Sequence, residues 1–254
     1  MMMFKHIQKI QSSPLMNKPR QLSFSFRSLL AREPTLWPLY QPYLWWSKVK
    51  LKAEGGYPEE RTINPDTELV IDGFQGSANS FATVAFQLSQ TRHVRLAHHL
   101  HAPTQIMQAI ELGIPVWLTI REPVDTVISL TSRWSYVSVI QGLQSYIEFY
   151  SKLEPYTANC VISRFDQTTQ RLDQVIEVVN AKFGTHFDLV DVARANLECR
   201  PKASDAPEKE ARREAIKQKK KREIAAAKNA PLLARANHLY QRFEAFSEQQ
   251  IVSP

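Results

Sequence analysis

The sequence predicts an α/β fold in which a parallel sheet carries helices on both faces. Three apolar runs, at residues 69–71, 114–120 and 159–163, are each followed by a segment with helical spacing. Strands that alternate with helices in this way form parallel sheets with right-handed crossovers. In such sheets ligands bind beyond the carboxyl ends of the strands. A chain of 254 residues is long enough for a large domain of this class.

The first of these units, residues 68–80, predicts a strand, a loop and the start of a helix. The backbone N–H groups of such a loop and the positive end of the following helix form a site for a phosphate or sulfate group. Gly73 and Ser80 fit the nucleotide-binding pattern G-x-x-x-x-G-K-[ST], but Ala78 and Asn79 stand in place of its Gly and Lys. An ordinary ATP or GTP site is therefore disfavoured. A plain strand-to-helix turn is the other interpretation.

Two further units place polar residues at strand ends. Residues 94–97 predict a short strand that runs into His98, His99 and His101, and Pro103 suits the first turn of the next helix. The apolar run 114–120 has the character of a strand buried on both faces. That strand ends at Arg121, and a helix to about residue 134 follows. We expect the loop, the histidines and Arg121 to lie close together, beyond the carboxyl ends of the strands.

The last unit of the core begins with a helix at about residues 143–153 and continues with the strand at 159–163. After it, apolar residues recur at the spacing of one helix face. They are Leu172, Val175, Ile176, Val179 and Phe183. The predicted α/β core therefore spans residues 63–200.

The N-terminal segment, residues 1–62, is basic and rich in aromatic residues. Its first 32 residues contain no Asp or Glu, a composition that either an organellar transit peptide or a disordered basic tail would have. Residues 37–46 hold five Trp and Tyr rings, which either stack on sugars or bases or cover an edge of the core. We expect a cytoplasmic protein, with organellar targeting left open by this N-terminus.

The C-terminal segment, residues 201–254, changes character. Residues 202–228 are dense in Lys and Arg and have high helix propensity with a thin apolar face. They predict either a solvated helix or an arm that touches a polyanionic ligand. Residues 232–246 carry apolar side chains at helical spacing and are expected to pack on the core.

Composition narrows the partners. The formal net charge of +7 and the pI near 9.4 favour anionic partners such as nucleotides, phospholipid surfaces or nucleic acid. No apolar stretch approaches the roughly 20 residues that cross a bilayer, although peripheral contact with a membrane is compatible with the charge. Cys160 and Cys199 are in no Cys-x-x-Cys arrangement, so neither a disulfide framework nor a zinc site is predicted.

Together these motifs resemble those of the sulfotransferase family, enzymes of P-loop-like fold that use 3′-phosphoadenylyl sulfate. Residues 72–81, Asp-Gly-Phe-Gln-Gly-Ser-Ala-Asn-Ser-Phe, resemble the family's 5′-phosphosulfate loop. Arg121-Glu-Pro123, with Ser129 eight residues after the arginine, resembles its 3′-phosphate site. His99 falls where the family has its catalytic histidine. The resemblance covers roughly residues 69–183.

The resemblance implies a role for each motif. His99 would act as general base, because an imidazole pKa lies near neutrality; His98 and His101 are the alternatives. No metal is implied. The acceptor would be a hydroxyl or amine of a small molecule, glycan or lipid, bound in a site shaped partly by the aromatic segment. The nucleotide would contact Gln75, Gly76, Ser77, Ala78, Asn79 and Ser80 of the loop, together with Arg121 and Ser129.

One departure from the family pattern is large. Family members carry Lys or Arg after the loop's proline, where this chain has Gln75 and Gly76. Losing one charge-assisted hydrogen bond costs on the order of 1.5–3 kcal/mol. Another cation, from Arg95, Arg133 or the basic C-terminal helix, would have to replace it. Otherwise the chain is a nucleotide-binding relative with impaired catalysis that acts as a binding or scaffold protein; nucleic-acid binding through the basic tail is a third, less favoured hypothesis.

Overall fold

A four-stranded sheet lies at the centre of the chain, whose residues 14–199 and 207–252 are described by a computed structural model. The strands in chain order are β1 (Leu69–Gly73), β2 (Leu96–His98), β3 (Val116–Ile120) and β4 (Val161–Arg164). Their order across the sheet is β2-β1-β3-β4, and every neighbouring pair is parallel. The predicted α/β class with a parallel sheet is therefore confirmed.

Eleven α-helices surround this sheet in the described part of the chain. Seven begin and end near the predicted bounds, but the sequence analysis does not predict α1, α2, α7 or α9. In chain order they are α1 (Pro14–Arg32), α2 (Trp37–Ala53), α3 (Asn79–Ser89), α4 (Pro103–Glu111), α5 (Pro123–Arg133), α6 (Val139–Leu153), α7 (Phe165–Gln170), α8 (Leu172–Phe183), α9 (Val192–Glu198), α10 (Pro207–Ile224) and α11 (Ala230–Val252).

Helices cover both faces of the sheet, because successive strand side chains point to opposite sides. Leu69 and Ile71 of β1 face one apolar cluster, which α3 and α8 complete. Val70 between them faces the other cluster, which contains residues of α4, α5, α6 and α11. The polar ends of the strands are left uncovered by this arrangement and carry the candidate site.

The N-terminal region is folded where the structure describes it. Residues 14–32 form helix α1, so the prediction of a disordered tail is wrong for them. Phe24 of α1 is 2 % exposed within the main apolar cluster and makes an edge contact with Trp134. Lys5 and Lys9, which contribute to the transit-peptide interpretation, lie outside the described residues.

The aromatic segment forms helix α2 even though Pro42 lies inside it. Burial outweighs the lost backbone hydrogen bond: Tyr40 and Leu44 pack against Leu30 of α1 and Leu100. This part of the segment covers an edge of the core, as one of the two interpretations predicts. Trp37 and Tyr43 pack partly buried against the same cluster, whereas the rings of Trp45 and Trp46 remain more than half exposed.

The C-terminal helices differ in how they meet the core. Helix α11 packs along β4 and buries Phe243, whereas α10 is mostly exposed where its side chains are described. The predicted basic helix begins at residue 207, and Lys202 lies outside the described residues. Within the described residues, no helix combines the length and the apolar character that crossing a membrane requires.

Candidate functional site

A crevice opens where the strand order reverses. The chain leaves β1 for β2 on one side and then crosses to β3 on the other, so the reversal lies between β1 and β3. Ligands of open α/β sheets bind at this point, beyond the carboxyl ends of the strands. Residues 74–78 follow β1, and Arg121 follows β3. Two predicted motifs therefore border the same crevice.

The loop after β1 turns tightly because two of its residues adopt left-handed backbone conformations. Gly76 has φ of +95° and Ala78 has φ of +78°, and α3 begins directly after Ala78. A Cβ on Gly73 would lie 2.3 Å from the carbonyl oxygen of Thr119, so only glycine fits between β1 and β3 here. The loop thus brings the N-terminus of α3, with its unpaired N–H groups, to the edge of the crevice.

Two buried side chains hold this loop from inside. Asn79 Nδ2 donates to the carbonyl oxygens of Gly73 and Phe74 at 3.2 and 3.1 Å, and its Oδ1 accepts a bond from Thr119. Ser77 Oγ donates to the Phe74 carbonyl at 2.6 Å. The side chains of Ser77 and Asn79 are therefore committed to the loop itself. The backbone N–H of Ser77 also donates within the loop, to the Phe74 carbonyl at 3.2 Å, so of these two predicted residues only Asn79 can offer a ligand its backbone N–H.

Arg121 lies directly beside the loop. Its Nη1 donates to the carbonyl oxygen of Gly76 at 3.3 Å, its Nη2 is 3.1 Å from Asp125, and its guanidinium carbon is 4.1 Å from the centre of the Phe165 ring. Ser129 reaches the loop as well, because a Cβ on Gly76 would lie 3.1 Å from its Oγ. The structure thus brings Arg121, Ser129 and the loop together, as the resemblance implies.

A cleft of about 410 Å³ extends from Arg121 between α5 and α10. Ser129, Arg133 and Lys217 line it with Arg121, so cations from two helices face one space. Arg121 Nε and Ser132 Oγ are buried there without a hydrogen-bond partner. Unpaired buried donors are costly, and an anion in the cleft would pair them.

His99 lies at the other side of the loop. Its Nε2 is 2.9 Å from Oγ of Ser80, an exposed residue of the first turn of α3. The backbone of His99 is left-handed, with φ of +58°, which turns the ring towards Ser80. Burial, together with repulsion from His101 and His98, lowers the pKa of His99 to about 3. The ring is therefore neutral near pH 7.

His101 has a different environment. Its Nδ1 donates to the Gly73 carbonyl at 2.8 Å and is 3.1 Å from Oδ1 of Asp72, while its backbone N–H donates to Oδ2. Burial alone would raise the pKa of Asp72, but interactions with His101 and the Gly73 N–H lower it below its ordinary value. These contacts tie β1 to the segment after β2, so His101 supports the loop.

The third histidine, His98, connects His99 to a residue that sequence reasoning misses. His98 Nδ1 is 2.6 Å from His99 Nδ1, and His98 Nε2 is 3.0 Å from Oε2 of Glu60. Glu60 lies in a 3₁₀ turn, Pro58–Arg61, in a stretch that the sequence predicts only as a loop. No local pattern indicates this contact, because 38 residues separate the two side chains.

Gln75 faces away from the crevice side of Arg121. It lines a small cavity of about 30 Å³ with Arg32 of α1 and His101, and its Oε1 is buried without a hydrogen-bond partner. Arg32 itself is paired with Glu148 of α6. It is a cation near the loop that sequence reasoning misses.

The cations suggested as replacements for the missing loop Lys or Arg lie in different parts of the structure. Arg95 directly precedes β2 and pairs with Asp66, so it lies at the amino ends of the strands, whereas the loop lies at their carboxyl ends. The suggestion that Arg95 replaces the loop cation is therefore wrong. Arg133 and Lys217 both lie at the cleft beside Arg121. No cluster of three or more metal-ligating side chains occurs in residues 14–199 and 207–252.

The aromatic segment borders a second cleft, also of about 410 Å³, between α2 and α4. Trp37, Trp45 and Lys48 line one side, and Gln105 and Gln108 line the other. None of the loop residues 74–80 lines this cleft. Rings that we expect to shape an acceptor site thus border a space separate from the loop.

Comparisons with known proteins do not indicate a family for this chain. The chain matches no protein family model, no curated protein and no solved structure.

Proposed function

We propose that this chain binds 3′-phosphoadenylyl sulfate and transfers its sulfuryl group to a hydroxyl or amine acceptor. The observation that carries the proposal is the 3.3 Å contact between Arg121 Nη1 and the Gly76 carbonyl. It joins the phosphosulfate-type loop to the Arg-x-Pro motif at the crevice between β1 and β3. A nucleotide with an anionic group at each end could bridge the two.

The cleft beside Arg121 suits the 3′-phosphate. Arg121, Arg133 and Lys217 supply three cations, and two of them are partly offset, Arg121 by Asp125 and Lys217 by Glu214. A guanidinium grips a phosphate through two parallel N–H bonds, and Ser129 adds a hydroxyl donor. The unpartnered Arg121 Nε supports this assignment, since it is a buried donor to which a phosphate oxygen would supply an acceptor.

The loop and His99 suit the phosphosulfate and the acceptor. Backbone N–H groups at the start of α3 face the crevice edge, and Ser80 is the exposed hydroxyl among them. Because Ser80 presents its hydroxyl on the exposed side of the loop, we assign the sulfuryl group to that side. There His99 Nε2 would take the proton of the acceptor hydroxyl as its oxygen attacks sulfur in line and the bond from sulfur to the phosphate oxygen breaks.

A second candidate is a nucleotide-binding relative that does not turn over. It is favoured by Gln75 and Gly76, because the cations described above lie at the Arg121 cleft or, as Arg32, in an ion pair. Oxyanion stabilisation acts chiefly in the transition state, so its loss would lower turnover more than affinity. This candidate predicts nucleotide affinity without donor cleavage.

Calorimetry with 3′-phosphoadenosine 5′-phosphate tests the binding that both candidates share. Arg121→Ala removes charge-assisted bonds worth about 1.5–3 kcal/mol, so affinity should fall about 10- to 150-fold. Arg194→Ala is the matched control, since Arg194 also pairs with a carboxylate four residues on but lies on exposed helix α9. Absence of binding at millimolar nucleotide, or an equal effect of both variants, would overturn the proposal.

Release of 3′-phosphoadenosine 5′-phosphate from the donor then separates the two candidates. The transferase predicts slow hydrolysis even without an acceptor, and His99→Gln should reduce it by about 10²- to 10⁴-fold, the range for loss of a general base. Binding without any release by the wild-type chain supports the non-catalytic relative.

A further inference from the structure

A continuous series of polar contacts runs from the loop into the body. It begins at Ser80 Oγ, 2.9 Å from His99 Nε2, passes from His99 Nδ1 to His98 Nδ1 at 2.6 Å, and reaches Oε2 of Glu60, 3.0 Å from His98 Nε2. The other oxygen of Glu60 lies 3.0 Å from Nε2 of His93, a histidine outside this series. Only the two ends differ in kind: one is an exposed hydroxyl, and the other is a carboxylate whose side chain is 14 % exposed.

The Glu60 carboxylate determines which ring nitrogen of His98 and of His99 carries the proton. An ionised Glu60 only accepts hydrogen bonds, so His98 must carry its proton on Nε2. In neutral His98 the other nitrogen, Nδ1, is then a lone pair, and it accepts from His99 Nδ1–H. Neutral His99 is left with its lone pair on Nε2, facing Ser80. Each contact in the series then has one donor and one acceptor.

We propose that Glu60 and His98 are positioning residues that hold His99 in the tautomer with the proton on Nδ1 and the lone pair on Nε2. A base at the loop needs this tautomer, because its free nitrogen is the one that reaches the hydroxyl. In triads of the serine-hydrolase type a buried carboxylate plays the same part for a single histidine. The chemistry served by the base rests on the proposed function, whereas the tautomer itself does not.

The same series can accommodate the charge that proton transfer creates. When His99 Nε2 takes a proton from a hydroxyl, its Nδ1 proton can move to His98 Nδ1, and the resulting imidazolium of His98 then faces Glu60. No proton needs to leave the series. This matters because burial leaves His99 a weak base by itself, with a pKa of about 3, and His101, His98 and Arg61 add repulsion that Asp72 only partly offsets.

Nitrogen NMR of the full chain with labelled histidine measures the tautomer directly. The seven histidines are few enough to assign, and His99→Gln identifies the resonances of His99. The experiment is run at about pH 8, because only a neutral imidazole has one protonated and one unprotonated ring nitrogen. We expect the Nε2 resonance of His99 in the unprotonated range and the Nδ1 resonance in the protonated range.

Two variants test the part of Glu60 and His98. Glu60→Gln can offer an N–H as well as an oxygen, and His98→Phe removes the acceptor of His99 Nδ1, so each should produce a clear second population with the His99 proton on Nε2. Glu59→Gln is the matched control, since Glu59 is the exposed neighbour, and it should leave the spectrum unchanged. Circular dichroism checks that each variant is folded.

Two results would overturn the inference. One is a wild-type His99 protonated on Nε2 at about pH 8, a result that needs no variant. The other is a wild-type tautomer ratio in every folded variant of Glu60 and His98. Neither result depends on nucleotide, so failure of nucleotide binding and failure of this inference are distinguishable. Where donor cleavage is observed, Glu60→Gln should lower its rate at least about tenfold and leave nucleotide affinity at the wild-type value.

Discussion

At the scale of single residues, backbone strain concentrates at the candidate site. Ala78, His99 and His101 are the non-glycine residues with positive φ in the described part of the chain, and all three border the loop. Such conformations cost on the order of 1–3 kcal/mol each and persist where the surroundings enforce them. Here the bonds of His101 to Asp72 and to the Gly73 carbonyl, and the contact of His99 with Ser80, supply that enforcement. Strain of this kind is typical of functional sites.

The neutral state of His99 predicts a specific pH dependence of stability. Its pKa is about 3 in the folded chain and about 6.5 when unfolded, so between these values only the unfolded chain binds the proton. Stability should therefore fall as pH decreases from about 6.5 towards 3, by up to about 1.4 kcal/mol per pH unit. His99→Gln should remove this contribution in urea unfolding measured over that range.

His238→Gln is the control for this measurement, because His238 lies exposed on α11. It should leave the pH dependence as it is in the wild-type chain. Identical slopes for wild type and His99→Gln would show that His99 is not buried in its neutral form.

At the scale of secondary-structure elements, α11 closes an open edge of the sheet. The side-chain amide of Gln250 accepts from the backbone N–H of Ile162 at 2.8 Å and donates to the carbonyl of Cys160 at 2.8 Å. It thereby occupies the backbone groups that an additional strand would pair. Edge strands with free N–H and C=O groups invite pairing with other chains, and this helix prevents it at β4.

Gln250→Ala should destabilise the fold through this edge. It leaves the N–H of fully buried Ile162 without a partner, which costs about 1–3 kcal/mol in unfolding free energy. Gln249→Ala is the matched control, since Gln249 is exposed on the same helix. Urea unfolding of the two variants makes the comparison, and equal midpoints would contradict the assigned role of the Gln250 amide.

At the scale of the whole molecule, the N-terminal helices belong to the same folded unit as the sheet. Phe24 of α1 lies in the main apolar cluster, and Arg32 pairs with Glu148 of α6 beside the cavity behind Gln75. Helix α10 approaches the site from the other end of the chain and places Lys217 in the Arg121 cleft. Both terminal segments therefore contribute surfaces next to the loop.

Phe24→Ala tests whether α1 is part of the cooperative unit. The residue is 2 % exposed, and truncating a buried Phe costs about 3–5 kcal/mol, so the urea midpoint should fall sharply in a single transition. Phe26→Ala, at a site that is 59 % exposed on the same helix, should change stability by no more than about 0.5 kcal/mol. Equal, small effects of both variants would mean that α1 is dispensable for folding.

Much of the sheet and of the crevice can be predicted from the sequence, because the signals are local. Apolar runs predict β1, β3 and β4, and the loop, Arg121 and His99 follow strands whose carboxyl ends must share one edge. The prediction fails for α2, where burial of Tyr40 and Leu44 outweighs Pro42. It fails also for Arg95, which comes before its strand and so lies at the amino ends of the strands, away from the loop.

The sequence by itself determined the class of fold and the end of the sheet, at the carboxyl ends of the strands, where the polar residues lie. Hydrophobic spacing and chain direction are enough for both. Only the tertiary structure decided that Glu60 meets His98, that Arg32 reaches the cavity behind Gln75 and that Lys217 faces Arg121. The reason is physical. These partners lie between 38 and 96 residues apart or on separate elements, and such contacts depend on how whole helices pack rather than on any local pattern.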